Sequence, residues 1–280
     1  MLIPYRVSYE VKPQFRLATF VGRGASGCAH SVFIVDRTFD ALAIIGYSLS
    51  TDDIVVILVR ELYGSSERYS ARFYQRGREI RRCGSGTIAA AEVIRRVWGI
   101  DGGDWSDHSE KTVISTGVEH LRLLELEGLV GFESWPLHQT RMINLRLWQG
   151  LIDRPVTKLV LCGGERDYVI AELADENAVS RAWPDLKRLA TVTRRALIIT
   201  ARAKRSSFVF RFFAPQYGVN EADVSGAACV QLLRYWYRQR PQTRFFARQL
   251  SPGGAQFFGV AGPGRIRIFG RVGGVRSPAQ

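Results

Sequence analysis

The chain has 280 residues, 46% hydrophobic and 23% charged, enough to bury a real core as one large domain or two. Its net charge of +13 is almost all arginine, since Lys12, Lys111, Lys158, Lys187 and Lys204 are the only lysines; the charge is spread without a basic arm, zinc finger, RNP motif or zipper, so nucleic acid is not an expected partner. Apolar runs fall far short of the roughly 20 residues of a membrane span, MLIPYRVSYEVKPQF has no signal-peptide pattern, and Cys28, Cys83, Cys162, Cys229 and the four histidines show no ligand spacing, which together predict a globular, cytoplasmic protein with free thiols and no metal.

In chain order, β-branched and apolar segments at 15–21, 31–36, 54–59 and 69–75 predict strands. A helix is expected from Ser85 to Trp98, with Ile88, Ala91, Ile94 and Val97 on one apolar face. The loop 99–107 ends it, and strands follow at 112–118, 120–128 and 129–135. The second half repeats this plan. Strands are predicted at 143–148, 157–161 and 167–173, helical turns within 175–190, strands at 196–200 and 207–213, a helix at 225–239, and strands at 243–250, 255–261 and 264–272. Two halves of similar order, 1–137 and 138–280, predict an α+β fold built by internal duplication.

A local match sharpens this. Laying Gly86 on Gly226 places Cys83-Gly84-Ser85-Gly86-Thr87 over Asp223-Val224-Ser225-Gly226-Ala227, each opening an alanine-containing helix. Free backbone N–H groups and the positive end of a helix dipole favour an anion there. Two such helix starts facing one another would hold a carboxylate between two acid/base groups.

These residues resemble the PhzF family, the phenazine-biosynthesis-like isomerases that share the diaminopimelate epimerase fold. The resemblance rests on 20-FVGRGASGCAHSVFIVD-36, on 72-RFYQRGREI-80 followed by 83-CGSGTIAAAEVI-94, on 167-DYVIAELADENAVSRAWPDL-186 with 196-ALIITA-201, and on 247-ARQLSPGG-254. The most specific segment is 211-RFFAPQYGVNEADVSGAACVQLLRYW-236. It implies two pseudo-symmetric halves, each an antiparallel barrel-like sheet around a central helix, with the active site between them. The implied chemistry is cofactor-free isomerisation, epimerisation or racemisation of a small carboxylic acid; separately, a homodimer is the commonest assembly for a chain of this size. Several family positions are altered: Asn is Cys28, the central His is Ser85, the second-half Asp falls on Ala222 beside Asp223, the following Ser is Ala227, and the catalytic Glu falls on Thr51 in 48-SLSTDDIV-55.

The resemblance puts Cys83 where the epimerase branch has its first catalytic cysteine, and Asp223 at the place taken as equivalent to the second. A helix start and the nearby Arg81 and Arg82 would favour a thiolate at Cys83. That thiolate would take a proton from the carbon next to a carboxylate, and Asp223, in a dry cleft, would return one. Gly84, Ser85, Gly86, Ser225, Gly226, Ala227 and Cys28 are the candidate substrate-binding residues, with Asp52 and Glu221 as reserve acid/base groups. Two further readings use the same cleft: a cyclase or tautomerase, and a ligand-binding or scaffold protein that has lost its chemistry.

Overall fold

The computed structural model describes residues 12–35, 41–63, 66–98, 112–142, 146–205, 207–240 and 242–276. The first half contains β1 (Phe15–Thr19), β2 (Cys28–Val35), α1 (Ala41–Tyr47), β3 (Ile54–Tyr63), β4 (Ser66–Gln75), β5 (Arg78–Glu79), α2 (Gly84–Val97), β6 (Val113–Ser115), β7 (His120–Leu126) and β8 (Leu129–Ser134). The second contains β9 (Gln139–Met142), α3 (Arg146–Gln149), β10 (Lys158–Cys162), β11 (Tyr168–Glu172), α4 (Glu176–Ser180), α5 (Leu186–Val192), β12 (Ala196–Arg202) and β13 (Phe208–Phe213). It continues with α6 (Gly226–Tyr237), β14 (Arg244–Gln249), β15 (Ala255–Ala261), β16 (Ile266–Gly270) and β17 (Val272–Arg276).

The pairing repeats step for step. Along β1, β2, β3, β4, β6, β7 and β8 the successive junctions are antiparallel, parallel, antiparallel, parallel, antiparallel and antiparallel. The same series runs along β10 through β16. Each parallel junction spans a helical crossover: α1 or α2 in the first half, α4 with α5 or α6 in the second. A crossover is needed because parallel neighbours must start from the same end of the sheet. The two parallel junctions in each half add to the antiparallel run read from the sequence. β8 pairs antiparallel with β16 and joins the halves. β9 flanks β10, while β17 returns to flank β1.

The sheet is buried on both faces, which explains the unbroken run 54-IVVILV-59. Val56 and Leu58 of β3 face the core around α2, whereas Val55 and Ile57 pack with Phe33 and Ile44 under α1. β12 divides in the same way, with Ile198 towards the central core and Leu197 and Ile199 towards the cluster that holds Val179 and Leu189. Helix α2 is buried at every residue from Gly84 to Ile94, and Ala89, Ala90 and Ala91 let the sheet close around it. In α6, Trp236 stacks on Phe208 at 6.1 Å between ring centroids and donates to Thr200 Oγ1 at 3.2 Å.

Several elements differ from the sequence reading. The segment read as a strand at 143–148 contains α3 instead, with Trp148 buried; residues 143–145 lie outside the described residues. α1, β5, β9 and β17 were not foreseen. The loop expected at 99–107 also lies outside the described residues. Among the described residues no helix is long and apolar enough to cross a membrane, and no group of three or more His, Cys, Asp or Glu is placed to hold a metal.

Candidate active site

The two central helices meet at their N-termini. Cys83 caps α2, its sulfur accepting from Gly86 N at 3.4 Å, and Thr87 Oγ1 donates to Cys83 O at 3.0 Å. Ser225 caps α6, its hydroxyl accepting from Ala228 N at 3.2 Å, while Ser225 N donates to Gln249 Oε1 at 2.8 Å. Each cap thus serves the third residue of its helix, the usual capping geometry. Gly84 and Gly226 touch. A Cβ built on Gly84 would lie 2.9 Å from the Cα and carbonyl carbon of Gly226 and 3.0 Å from Ala227 N.

This contact corrects the alignment of the halves by two residues. Cys83 is equivalent to Ser225 and Gly84 to Gly226, so Asp223 is not the counterpart of Cys83. The contact is backbone against backbone, so no side chain can swing aside to relieve it. Gly84→Ala should destabilise the fold by about 1–3 kcal/mol, the range for overpacking a tight site. Urea unfolding of this variant at wild-type stability would show that the two helix starts are not in contact.

Cys83, Gly84 and Ala227 line a cavity of about 40 Å³, together with Arg82, Thr87, Thr116 and Glu119. By the usual measure this is room for about three waters. The amides of Gly84, Ser85, Gly226 and Ala227 have no hydrogen-bond partner among the described residues, as expected for the first turn of a helix. Ser85 is buried and is not a cap; its hydroxyl lies 3.6 Å from the Cys83 sulfur. Gly86 donates to that sulfur through its backbone amide.

Cys28 and Asp223 lie near Cys83 but outside this cavity, and Asp52 and Glu221 are engaged elsewhere. Asp223 is exposed, not in a dry cleft; its carbonyl accepts from Ser251 Oγ, and its carboxyl faces Gly253. Cys28 is half-buried near it, beside the 251–254 turn that Ser26 N and Gly27 N tie down through Gly253 O and Gly254 O at 2.7 and 3.1 Å. Neither Cys28 nor Asp223 lines the cavity. Asp52 is fully out in solvent, 93% exposed, and pairs with Arg76 at 3.2 Å. Glu221 is engaged at both oxygens by Arg211, each contact 2.7 Å, and does not line the cavity. Neither reserve carboxylate is placed for acid/base work. Arg82, expected to lower the thiol, instead pairs with Asp167 at 3.0 Å.

Burial pushes the Cys83 thiol up, and the Ser85 hydroxyl and Gly86 amide only partly oppose it. The helix start therefore does not outweigh desolvation, contrary to the sequence expectation. Burial also pushes Cys28 up, and negative charge at Cys83, Asp223 and Asp53 acts in the same direction.

The residue that sequence reasoning missed is Glu119. It sits in the β6–β7 turn, where Thr116 N donates to Glu119 O at 3.0 Å and Gly117 takes φ +62°. Glu119 is the single carboxyl group lining the cavity. Burial raises it above the ordinary carboxylate range, opposed by the charge of Arg82 and by a weak bond from Ser134 Oγ at 3.4 Å.

A duplicated α+β sheet around two helices that meet head to head is a fold shared with isomerases and epimerases. A probable proline racemase from Agrobacterium radiobacter K84 superposes with a TM-score of 0.57 at 13% identity over 95% of this chain and 93% of that one. A phenazine biosynthesis protein of the PhzF family from Enterococcus faecalis superposes with a TM-score of 0.79 at 21% identity, covering 92% of this chain and 95% of that one. An uncharacterized isomerase of Pseudomonas aeruginosa is 30% identical over 207 residues, 74% of this chain and 75% of its own. The family model described as "Phenazine biosynthesis-like protein" matches residues 56–256, and the chain belongs to this PhzC-PhzF family.

Proposed function

We propose that this protein is a cofactor-independent isomerase or epimerase that moves a proton at the carbon next to the carboxylate of a small amino or unsaturated acid, in specialised metabolism. One observation carries the reading: two helix starts touch at Gly84 and Gly226, and a cysteine caps one of them. The substrate carboxylate accepts from the amides of Gly84, Ser85, Gly226 and Ala227. Those amides and both helix dipoles then stabilise the negative charge that builds up on the carboxylate as the neighbouring C–H bond breaks. Cys83 is the base. Its thiol is up-shifted by burial, and the Ser85 hydroxyl and Gly86 amide offset part of that shift.

The test is deuterium wash-in from D2O, followed by NMR with alanine, proline and crotonate as probes. Wild type should exchange the hydrogen next to a carboxylate, or the conjugated γ-hydrogen of crotonate, and Cys83→Ala should lose at least about 100-fold of that rate. A competing reading, a ligand-binding protein without chemistry, is favoured by the up-shifted thiol and the small cavity. Binding of a probe without any exchange would select it.

A further inference from the structure

Proton transfer at carbon needs a group to return the proton as well as one to remove it; Asp52 and Glu221 are paired with arginines, and Asp223 is exposed and does not line the cavity. We propose that Glu119 is the second proton-transfer group of this site, exchanging protons with Cys83 and the substrate across the cavity that both line. The proposal rests on the proton-transfer reading given above.

The geometry is specific. Glu119 and Cys83 open onto the same cavity of about 40 Å³, with Gly84 and Ala227 between the helix starts in its wall. Such a volume admits the few waters a relay requires. The Glu119 carboxyl has no ion-pair partner within 4 Å among the described residues, and its one hydrogen bond, from Ser134, is long. The groups that act on it are Arg82, held by Asp167, together with Tyr168 and Ser134, while Thr116 and Cys83 share its cavity. Burial favours the acid form, and Arg82 opposes it in favour of the carboxylate.

The cycle closes without an outside reagent. The Cys83 S–H proton passes through cavity water to the Glu119 carboxylate, leaving thiolate and carboxylic acid. The thiolate takes the proton from the substrate carbon, and the C–H electron pair moves into the carboxylate. Glu119 then delivers its proton to the carbanion, at the same carbon from the other face or at a conjugated position. Thiol and carboxylate are restored.

Two measurements test this, and they can fail separately. In the wash-in assay Glu119→Gln should lose about 100-fold or more, Glu119→Asp should keep part of the rate, and a Glu127→Gln control in the exposed β7–β8 turn should match wild type. Thermal melting of each variant checks the fold. The second measurement needs no substrate: the Glu119 carboxyl is titrated by carbon-13 NMR, assigned by the peak missing in Glu119→Gln, before and after capping Cys83 with methyl methanethiosulfonate. The expected result is a midpoint above the ordinary carboxylate range that moves when Cys83 is capped. A midpoint unmoved by capping overturns the proposal, as does wild-type wash-in by Glu119→Gln. If wild type exchanges none of the probes but the midpoint moves, the proton-transfer reading is what fails, and the coupling of Glu119 to Cys83 stands.

Discussion

Arg211→Ala is expected to cost about 3 kcal/mol of stability, the low end of what breaking a buried ion pair costs. Arg211 is 6% exposed. Its Nε and Nη2 each donate to one oxygen of Glu221, its Nη1 donates to Ala182 O at 2.6 Å, and its guanidinium lies 4.9 Å from the centre of the Phe213 ring. Truncation leaves a half-buried carboxylate and a carbonyl without their donor. Water reaches part of Glu221, which places the estimate at the low end of the range. The consequence reaches the site, because Glu221 begins the stretch that runs through Ala222, bonded to Phe212 O at 3.0 Å, to the Ser225 cap. Urea unfolding should show the loss, and Arg211→Met with Glu221→Leu should recover most of it by removing both charges together. A drop below about 1 kcal/mol in the single variant would mean that the pair does not pin this segment.

Acid should weaken the fold through His30. The imidazole is fully buried on β2, and neither ring nitrogen has a hydrogen-bond partner among the described residues. Burial pushes its pKa down to about 4, against the opposing pull of the Cys28 and Leu17 carbonyls and of Asp53. In the unfolded chain the group titrates near 6.5. Between these values the unfolded state binds more protons, so the contribution is fully present above pH ~6.5 and is lost as pH falls towards about 4. At roughly 1.4 kcal/mol per pH unit the total is about 3 kcal/mol. His30→Leu removes this term and leaves Asp53 in place, paired with Arg16 at 2.7 Å and with Ser31 at 2.8 Å. The unfolding free energy of the variant minus that of wild type should therefore rise by about 3 kcal/mol from pH ~6.5 to about 4, because only wild type loses stability there. Parallel curves from pH 7 to pH 4 would show that His30 is not held neutral.

The helices around the site were legible because their alanine and β-branched content fits a buried face, and most strands were legible from apolar runs between turns. The register of the duplication was not. Serine is a common cap and cysteine is not, so the Ser-Gly pairs at 85–86 and 225–226 looked equivalent, whereas the structure caps α2 with Cys83, two residues earlier. α3 was read as a strand because the Ile143, Leu145 and Leu147 alternation fits a pleat as well as it fits a short helix end. Glu119 had no local signal at all. It is one acid in a turn, and what distinguishes it is a cavity shared with residues 36 positions earlier and 108 positions later in the chain.

The place of β17 carries a consequence for how the chain is made. β1 takes β2 on one side, but its other edge is filled by β17, residues 272–276, which are made long after β1. Until they arrive, β1 presents an unpaired edge, the kind of surface that recruits a second chain. The first half is thus synthesised early and finished late. Removing β17 trades a local loss of hydrogen bonds for an open sheet edge, and a pairing so distant in sequence adds to the contact order that slows folding.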